Sequence, residues 1–157
     1  MNNLMSSEMI VRSATVEDVP VIAGFQTAMA SETEHIELNR ETVGQGVSAV
    51  FEKPERGRYY VAESDGRVVG SLLTTYEWSD WRNGTVLWIQ SVYVLPGYRR
   101  KGIYRAMYKH IRELVNADPG LFGIRLYADV SNTTAHLVYE SLGMKKDHYL
   151  TFEWMKP

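Results

Sequence analysis

The spacing of apolar positions changes several times along this chain, and each change marks a predicted element. Residues 8–14 read as a first strand, after which Thr15-x-x-Asp18 has the form of a capping box with Asp in place of the usual Glu or Gln. Val19, Ile22, Ala23, Gln26 and Ala30 follow at helical spacing, so a first helix is expected to about Ser31 and a second near residues 40–52. From Arg58 the alternation becomes that of strands. Residues 58–63 and 68–76 make a predicted hairpin around Asp65-Gly66, a pair suited to the two positive φ angles of a type I′ turn. Residues 77–84 turn the chain into an apolar strand at 85–94 and carry Trp78 and Trp81, which either cover a sheet edge or shape a pocket for an amine by cation–π contact. After Pro96-Gly97 a helix opens near Gly102. Its stripe is Ile103, Ala106, Met107, Ile111, Leu114 and Val115, with Arg105, Lys109 and Arg112 facing solvent. Asn116 to Gly120 is a stop signal, 122–130 a strand, and Ser131 or Asn132 caps a short helix carrying Ala135, Val138, Tyr139 and Leu142 on one face, with Gly143 at its C′ position. Residues 145–155 alternate His148, Leu150, Phe152 and Trp154 on one side, which predicts a last strand.

Strand, turn and helix over residues 85–115 is an anion-binding arrangement. The first amides of a helix lack partners within it and sit at the positive end of its dipole. Arg99, Arg100 and Lys101 stand at that mouth. Charge sharpens the picture: residues 1–64 hold ten acidic and five basic side chains, residues 65–157 nine and twelve, and six of those bases lie between Arg99 and Arg112 with no acid among them. A local basic cluster of this kind suits a polyphosphate ligand, whereas nucleic-acid binding calls for a whole basic face and is not expected. No Gly-Lys-Ser/Thr follows, which excludes a P-loop, and the glycines of a dinucleotide fingerprint are missing.

Composition narrows the chemistry further. With 157 residues, 45% of them hydrophobic, the chain is expected to form one domain over 1–157. It has no cysteine, which removes disulfides, a thiol nucleophile and thiolate metal sites together. His35, His110, His136 and His148 show no short metal-ligand spacing, so no metal is expected. The start, MNNLMSSEMIVR, has neither a basic n-region nor an apolar h-region, and no apolar run is long enough to span a membrane. A cytoplasmic protein, monomer or homodimer, without membrane contacts is the expectation.

The spacing Arg99-x-x-Gly102-x-Tyr104, behind a strand ending Tyr93-Val94-Leu95-Pro96, resembles the coenzyme A pyrophosphate loop of the GNAT superfamily of N-acetyltransferases. Tyr104 departs from the Gly or Ala preferred there, though a helical φ is open to Tyr and its ring can point away from phosphate. A second run, Asn132-x-x-Ala135-x-x-x-Tyr139-Glu140-x-x-Gly143-Met144, is similar to the family's second signature and follows in the right order. The resemblance covers nearly the whole chain. It implies an α+β (α/β/α) fold, a central mixed, mostly antiparallel sheet flanked by helices in the order β α α β β β α β α β, acting as an acetyl-CoA-dependent N-acetyltransferase.

The same resemblance assigns roles. The loop Arg99, Arg100, Lys101, Gly102, Ile103 and Tyr104 would grip the pyrophosphate. The backbone of Val92, Tyr93 and Val94 would meet pantetheine, with the Val92 amide donating to the thioester oxygen. Asn132 would lie beside pantetheine, and Tyr139 beside sulfur as general acid, unless Tyr139 is simply a core residue. The general base stays open. An alkyl ammonium has a pKa of about 10.4, so its neutral form at pH 7 lies about 4.6 kcal/mol uphill. Gln90 stands where many members carry Glu and can orient but not accept a proton; Glu77 and Glu34 are the alternatives. The acidic N-terminal half implies a cationic amine acceptor, small molecule or peptide, attacked directly in a ternary complex. The alternative is a non-catalytic acyl-CoA-binding or sensing module on the same fold.

Overall fold

The computed structural model describes residues 8–157, which fall into two compact units, one reaching to Tyr127 and the other starting at Ala128. In the first unit, β1 (Met9–Ser13), β2 (Arg58–Ser64), β3 (Arg67–Ser79), β4 (Gly84–Val94) and β5 (Leu121–Leu126) form an open sheet in the order β1-β2-β3-β4-β5. The first three pairings are antiparallel, and β4 with β5 is parallel. This is the mixed, mostly antiparallel sheet anticipated from the sequence. The β2–β3 turn has Asp65 at φ 50° and Gly66 at φ 78°, as a type I′ turn requires. A parallel neighbour needs a crossover, and α3 (Ile103–Ala117) supplies it between β4 and β5.

Alternation along the strands sorts the two faces. Tyr59 and Val61 of β2 pack with Ile22 of α1 (Val19–Met29) and Val47 of α2 (Arg40–Glu52), and Leu73 of β3 joins them. The intervening positions face α3: the Tyr60 ring lies 5.6 Å from that of His110, and a Cβ on Gly70 would stand 3.3 Å from Ile103. Gly70 therefore lets the start of α3 settle directly onto the sheet beside the end of β4. Leu72, Met107 and Ile111 are fully buried, each contributing roughly 1.5–3 kcal/mol by leaving water.

The Asp18 carboxylate accepts from the Thr15 amide at 2.7 Å, its half of the anticipated capping box. Arg12 on β1 grips the same carboxylate at 2.7 and 3.0 Å and bonds Glu63 of β2 at 2.7 Å, pinning the helix start to the sheet. The Arg12 bond holds the Asp18 carboxyl below its ordinary range despite burial. A depressed carboxylate pKa gives stability that is present above the unfolded value and lost as pH falls through the folded one. Asp18→Asn should cost about 1–2 kcal/mol at pH 7, given that Arg12 is partly exposed, and the deficit should close in thermal melts as pH falls through and below the ordinary carboxylate range.

Three elements differ from the sequence expectation. Helix α1 ends at Met29 and passes into a π turn over Ala30–Glu34, closed by His35 at φ 56°. Strand β5 stops at Leu126 rather than at 130, and just beyond it Asp129 accepts from the Ser131 amide at 2.7 Å, a local turn that competes with extension. The expected last strand at 145–155 is not formed. In the second unit α4 (Thr133–Ser141) is capped by the Asn132 side chain, which accepts from Ala135 N at 3.1 Å. The helix closes with Gly143 at φ 85° and Met144 N donating to Tyr139 O at 3.1 Å. The chain beyond is irregular, and Asp147 captures the His148 amide at 2.7 Å. Period-two alternation does not suffice for a strand, since a lone extended segment leaves its backbone groups without a ladder.

Candidate active site

The site begins where β4 outlives its neighbour. Parallel pairing with β5 runs from Thr85↔Leu121 to Ile89↔Leu126, and β4 then continues to Val94 against β3. Within that extension the register with β3 slips. Gln90 faces Leu73 and Tyr93 faces Ser71, so Ser91 and Val92 together oppose Leu72, and Ser91 takes φ 52°. This is a β-bulge, which bends its strand and redirects side chains. It puts Gln90 and Tyr93 on one face, that of α1 and α2, although they are three positions apart.

Past β4 the chain makes a short 3-10 turn at Pro96–Tyr98, with Tyr98 N donating to Leu95 O at 2.8 Å. Arg100 follows at φ 62° and Gly102, the α3 N-cap, at φ 80°. Gly102 in the left-handed region directly ahead of the right-handed Ile103 turns successive amides to one side, an anion-binding concavity, and here it opens at a helix N-terminus. A Cβ on Gly102 would meet nothing within 4 Å, so the loop is open on that side. Lys101 Nζ stands 5.3 Å from the Tyr98 ring centroid and the Arg67 guanidinium 6.0 Å from it, keeping cations at the mouth. These features fit a diphosphate.

Arg99 turns the other way. Its Nε donates to Val94 O at 2.9 Å, its guanidinium lies 5.4 Å from the Tyr93 ring centroid, and Nη2 bonds Glu32 at 2.6 Å. Tyr93 OH donates to the other Glu32 oxygen at 2.8 Å, and its ring packs 5.1 Å from that of Phe25. Burial, then the Glu32 bond, raises the Tyr93 phenol pKa; Arg99, then Tyr93, lowers that of Glu32. Tyr93 thus places its phenol between Glu32 and the aromatic packing of α1 on this face.

The same face carries a polar lane along β3, β4 and β5. Gln90 donates to Thr75 Oγ1 at 2.7 Å, Glu77 pairs with Arg125, and the Trp88 and Tyr127 rings lie 4.7 Å apart. Glu77 is therefore engaged by a guanidinium, while Glu34 is exposed on the π turn that holds Glu32. Trp78 and Trp81 are both exposed, Trp81 at 91%. In the second unit, Asn132 uses its side-chain oxygen as the α4 cap, and burial raises the pKa of the Tyr139 phenol. Sequence reasoning missed Thr75, Arg125 and the engagement of Glu32 by Arg99. The first two sit at alternating strand positions and were recoverable; the third joins residues 67 apart and left no local signal.

Comparison with known proteins places this architecture among the acetyltransferases. The profile of the Acetyltransferase (GNAT) family matches residues 24–144, and the chain belongs to that family. A crystal structure of a possible acetyltransferase from Clostridium difficile 630 is 40% identical, with a TM-score of 0.88 over 95% of this chain and 98% of that one. An N-alpha-acetyltransferase of Sulfurisphaera tokodaii is 34% identical over 104 residues, and the match spans 60% of either protein. An aminoglycoside N-acetyltransferase, AAC(6')-Iy, in complex with CoA shares the fold at 15% identity, with a TM-score of 0.80 over 99% of this chain and all of that one. Among the described residues no helix is long and apolar enough to cross a membrane.

Proposed function

We propose that this chain transfers an acetyl group from acetyl-CoA to a primary amine. The observation that carries the reading is the loop from Arg99 to Gly102, with positive φ at Arg100 and Gly102 at the mouth of α3, directly behind a strand that outruns β5. Amides of that loop, with Arg100 and Lys101, hold the diphosphate. The exposed edge of β4 at Val92 to Val94 takes the pantetheine arm, and the Val92 amide donates to the thioester oxygen as charge gathers there. The family resemblance assigns Asn132 to the same arm. The family match spans both compact units, which supports reading residues 1–157 as a single catalytic domain.

The acceptor nitrogen attacks the thioester carbon, the C–N bond forms, the C–S bond breaks, and sulfur leaves with the electron pair. Tyr139 supplies the proton. A phenol carries its proton at neutral pH, burial raises the Tyr139 pKa further, and a thiolate in a dry site is itself a stronger base than in water. Gln90, bonded to Thr75, orients the amine or a water that carries its proton away. Glu77 and Glu34 are the carboxylates for the base role, Glu77 only if the acceptor displaces Arg125. The acceptor is cationic, in keeping with the acidic first 64 residues.

Thiol release from acetyl-CoA across a panel of amines tests the reading. Turnover of polyamines, aminoglycosides or lysine peptides is expected. Coenzyme A binding with no thiol release for any amine would leave a binding module, and a preference for anionic or neutral amines, unaltered in Glu34→Gln/Glu37→Gln, would remove the cationic acceptor.

A further inference from the structure

The contact between Glu32 and Arg99 has no place in the reaction just described, yet it joins its two halves. Glu32 lies on the π turn that ends α1, and Arg99 belongs to the loop behind β4. The arginine is held near its base by Val94 O through Nε, so the fork can swing while the stem stays. Glu32 is held a second time by Tyr93 OH, and Tyr93 is fixed by Phe25, so the carboxylate keeps its position if Arg99 leaves. Because of the bulge at Ser91, Tyr93 shares a face with Gln90 and Thr75. The Glu32 carboxylate therefore belongs to the acceptor side of the sheet. Its ion pair with Arg99 leaves the two side chains 38% and 45% exposed. A pair that exposed is weak, whereas a guanidinium on phosphate is among the strong charge-assisted contacts.

We infer that Glu32 is an acceptor-recognising residue kept closed by Arg99: the diphosphate of coenzyme A draws Arg99 away, and the freed carboxylate oxygen takes the ammonium group of a cationic acceptor. This rests on the acetyltransferase reading. Cofactor and acceptor then bind with positive coupling, and by linkage each tightens the other equally. Before the exchange, Glu32 competes with the diphosphate for one guanidinium and presents no free charge to an amine.

The test is calorimetric titration of the full chain with coenzyme A and, separately, with spermidine. Glu32→Gln, isosteric and at an exposed site, should bind coenzyme A three- to tenfold more tightly than wild type. In an Arg99→Ala background the same change should alter affinity less than twofold. Saturating coenzyme A should tighten spermidine binding at least threefold in wild type and not in Glu32→Gln. Unchanged or weaker coenzyme A binding by Glu32→Gln overturns the inference, as does equal tightening in both backgrounds, which would reflect net charge alone, or an absent effect of coenzyme A on spermidine. If wild type binds no coenzyme A, the acetyltransferase reading falls with it; if wild type binds coenzyme A and turns over acetyl-CoA while Glu32→Gln behaves as wild type, only the role of Glu32 falls.

Discussion

Tyr139→Phe is expected to lower kcat by about tenfold to a thousandfold while leaving coenzyme A affinity and the melting temperature near those of wild type. The substitution keeps the ring, its packing and nearly all its volume, and deletes only the hydroxyl. If that hydroxyl protonates the departing sulfur, its loss is felt only as the C–S bond breaks, and so appears in kcat rather than in ground-state binding. The raised pKa of this half-buried phenol also predicts that kcat does not fall until pH well above neutral, since the group must be protonated to act. Full activity in a stably folded Tyr139→Phe protein would assign sulfur protonation to water and return Tyr139 to the role of a core residue. A large fall in melting temperature would mean that the hydroxyl stabilises the fold.

Gly102→Val is expected to weaken coenzyme A binding by roughly tenfold to a hundredfold, against about two- to fivefold for Arg100→Ala. Two effects add at Gly102. Its φ of 80° is a conformation that costs a side chain roughly 1–2 kcal/mol, more when it is β-branched, so valine would pull the loop toward another shape. Its Cβ would also project into open space beside the loop, where on the proposed reading phosphate approaches the amides. Arg100→Ala leaves the amides in place and removes one exposed charge. Calorimetric titration with coenzyme A, with melting temperatures recorded beside it, checks the pair. Equal and small effects would remove the diphosphate assignment from this loop.

Much of this architecture was legible in the residues because local chemistry agrees with the tertiary result. Asp65-Gly66 demands its turn wherever it stands, Asn132 caps its helix three residues from the amide it binds, and the α3 stripe fits one face of a sheet. What escaped depends on partners distant in sequence. Nothing in Gln90-Ser91-Val92-Tyr93 announces a bulge, because a bulge is a relation between two strands and exists only once β3 fixes the register. The π turn at Ala30–Glu34 likewise closes on His35 in a left-handed conformation that a sequence with no glycine there does not advertise. The 145–155 segment shows the converse: a strand-like alternation whose backbone found no ladder.

The bulge at Ser91 acts as a phase shifter. Before it, even-numbered residues of β4 look toward α1 and α2; after it, odd-numbered ones do, so the strand obeys two opposite codes within eleven residues. Deleting Ser91 would take out the extra residue and leave one unbroken alternation opposite β3. Gln90 and Tyr93 would then stand two positions apart and still share the face of α1 and α2, so the phenol would keep its side with Glu32 while the bend that the bulge gives the strand would be lost. A combinatorial library across β4 needs different alphabets on either side of residue 91, and a single-residue deletion there would let one alphabet serve the whole strand.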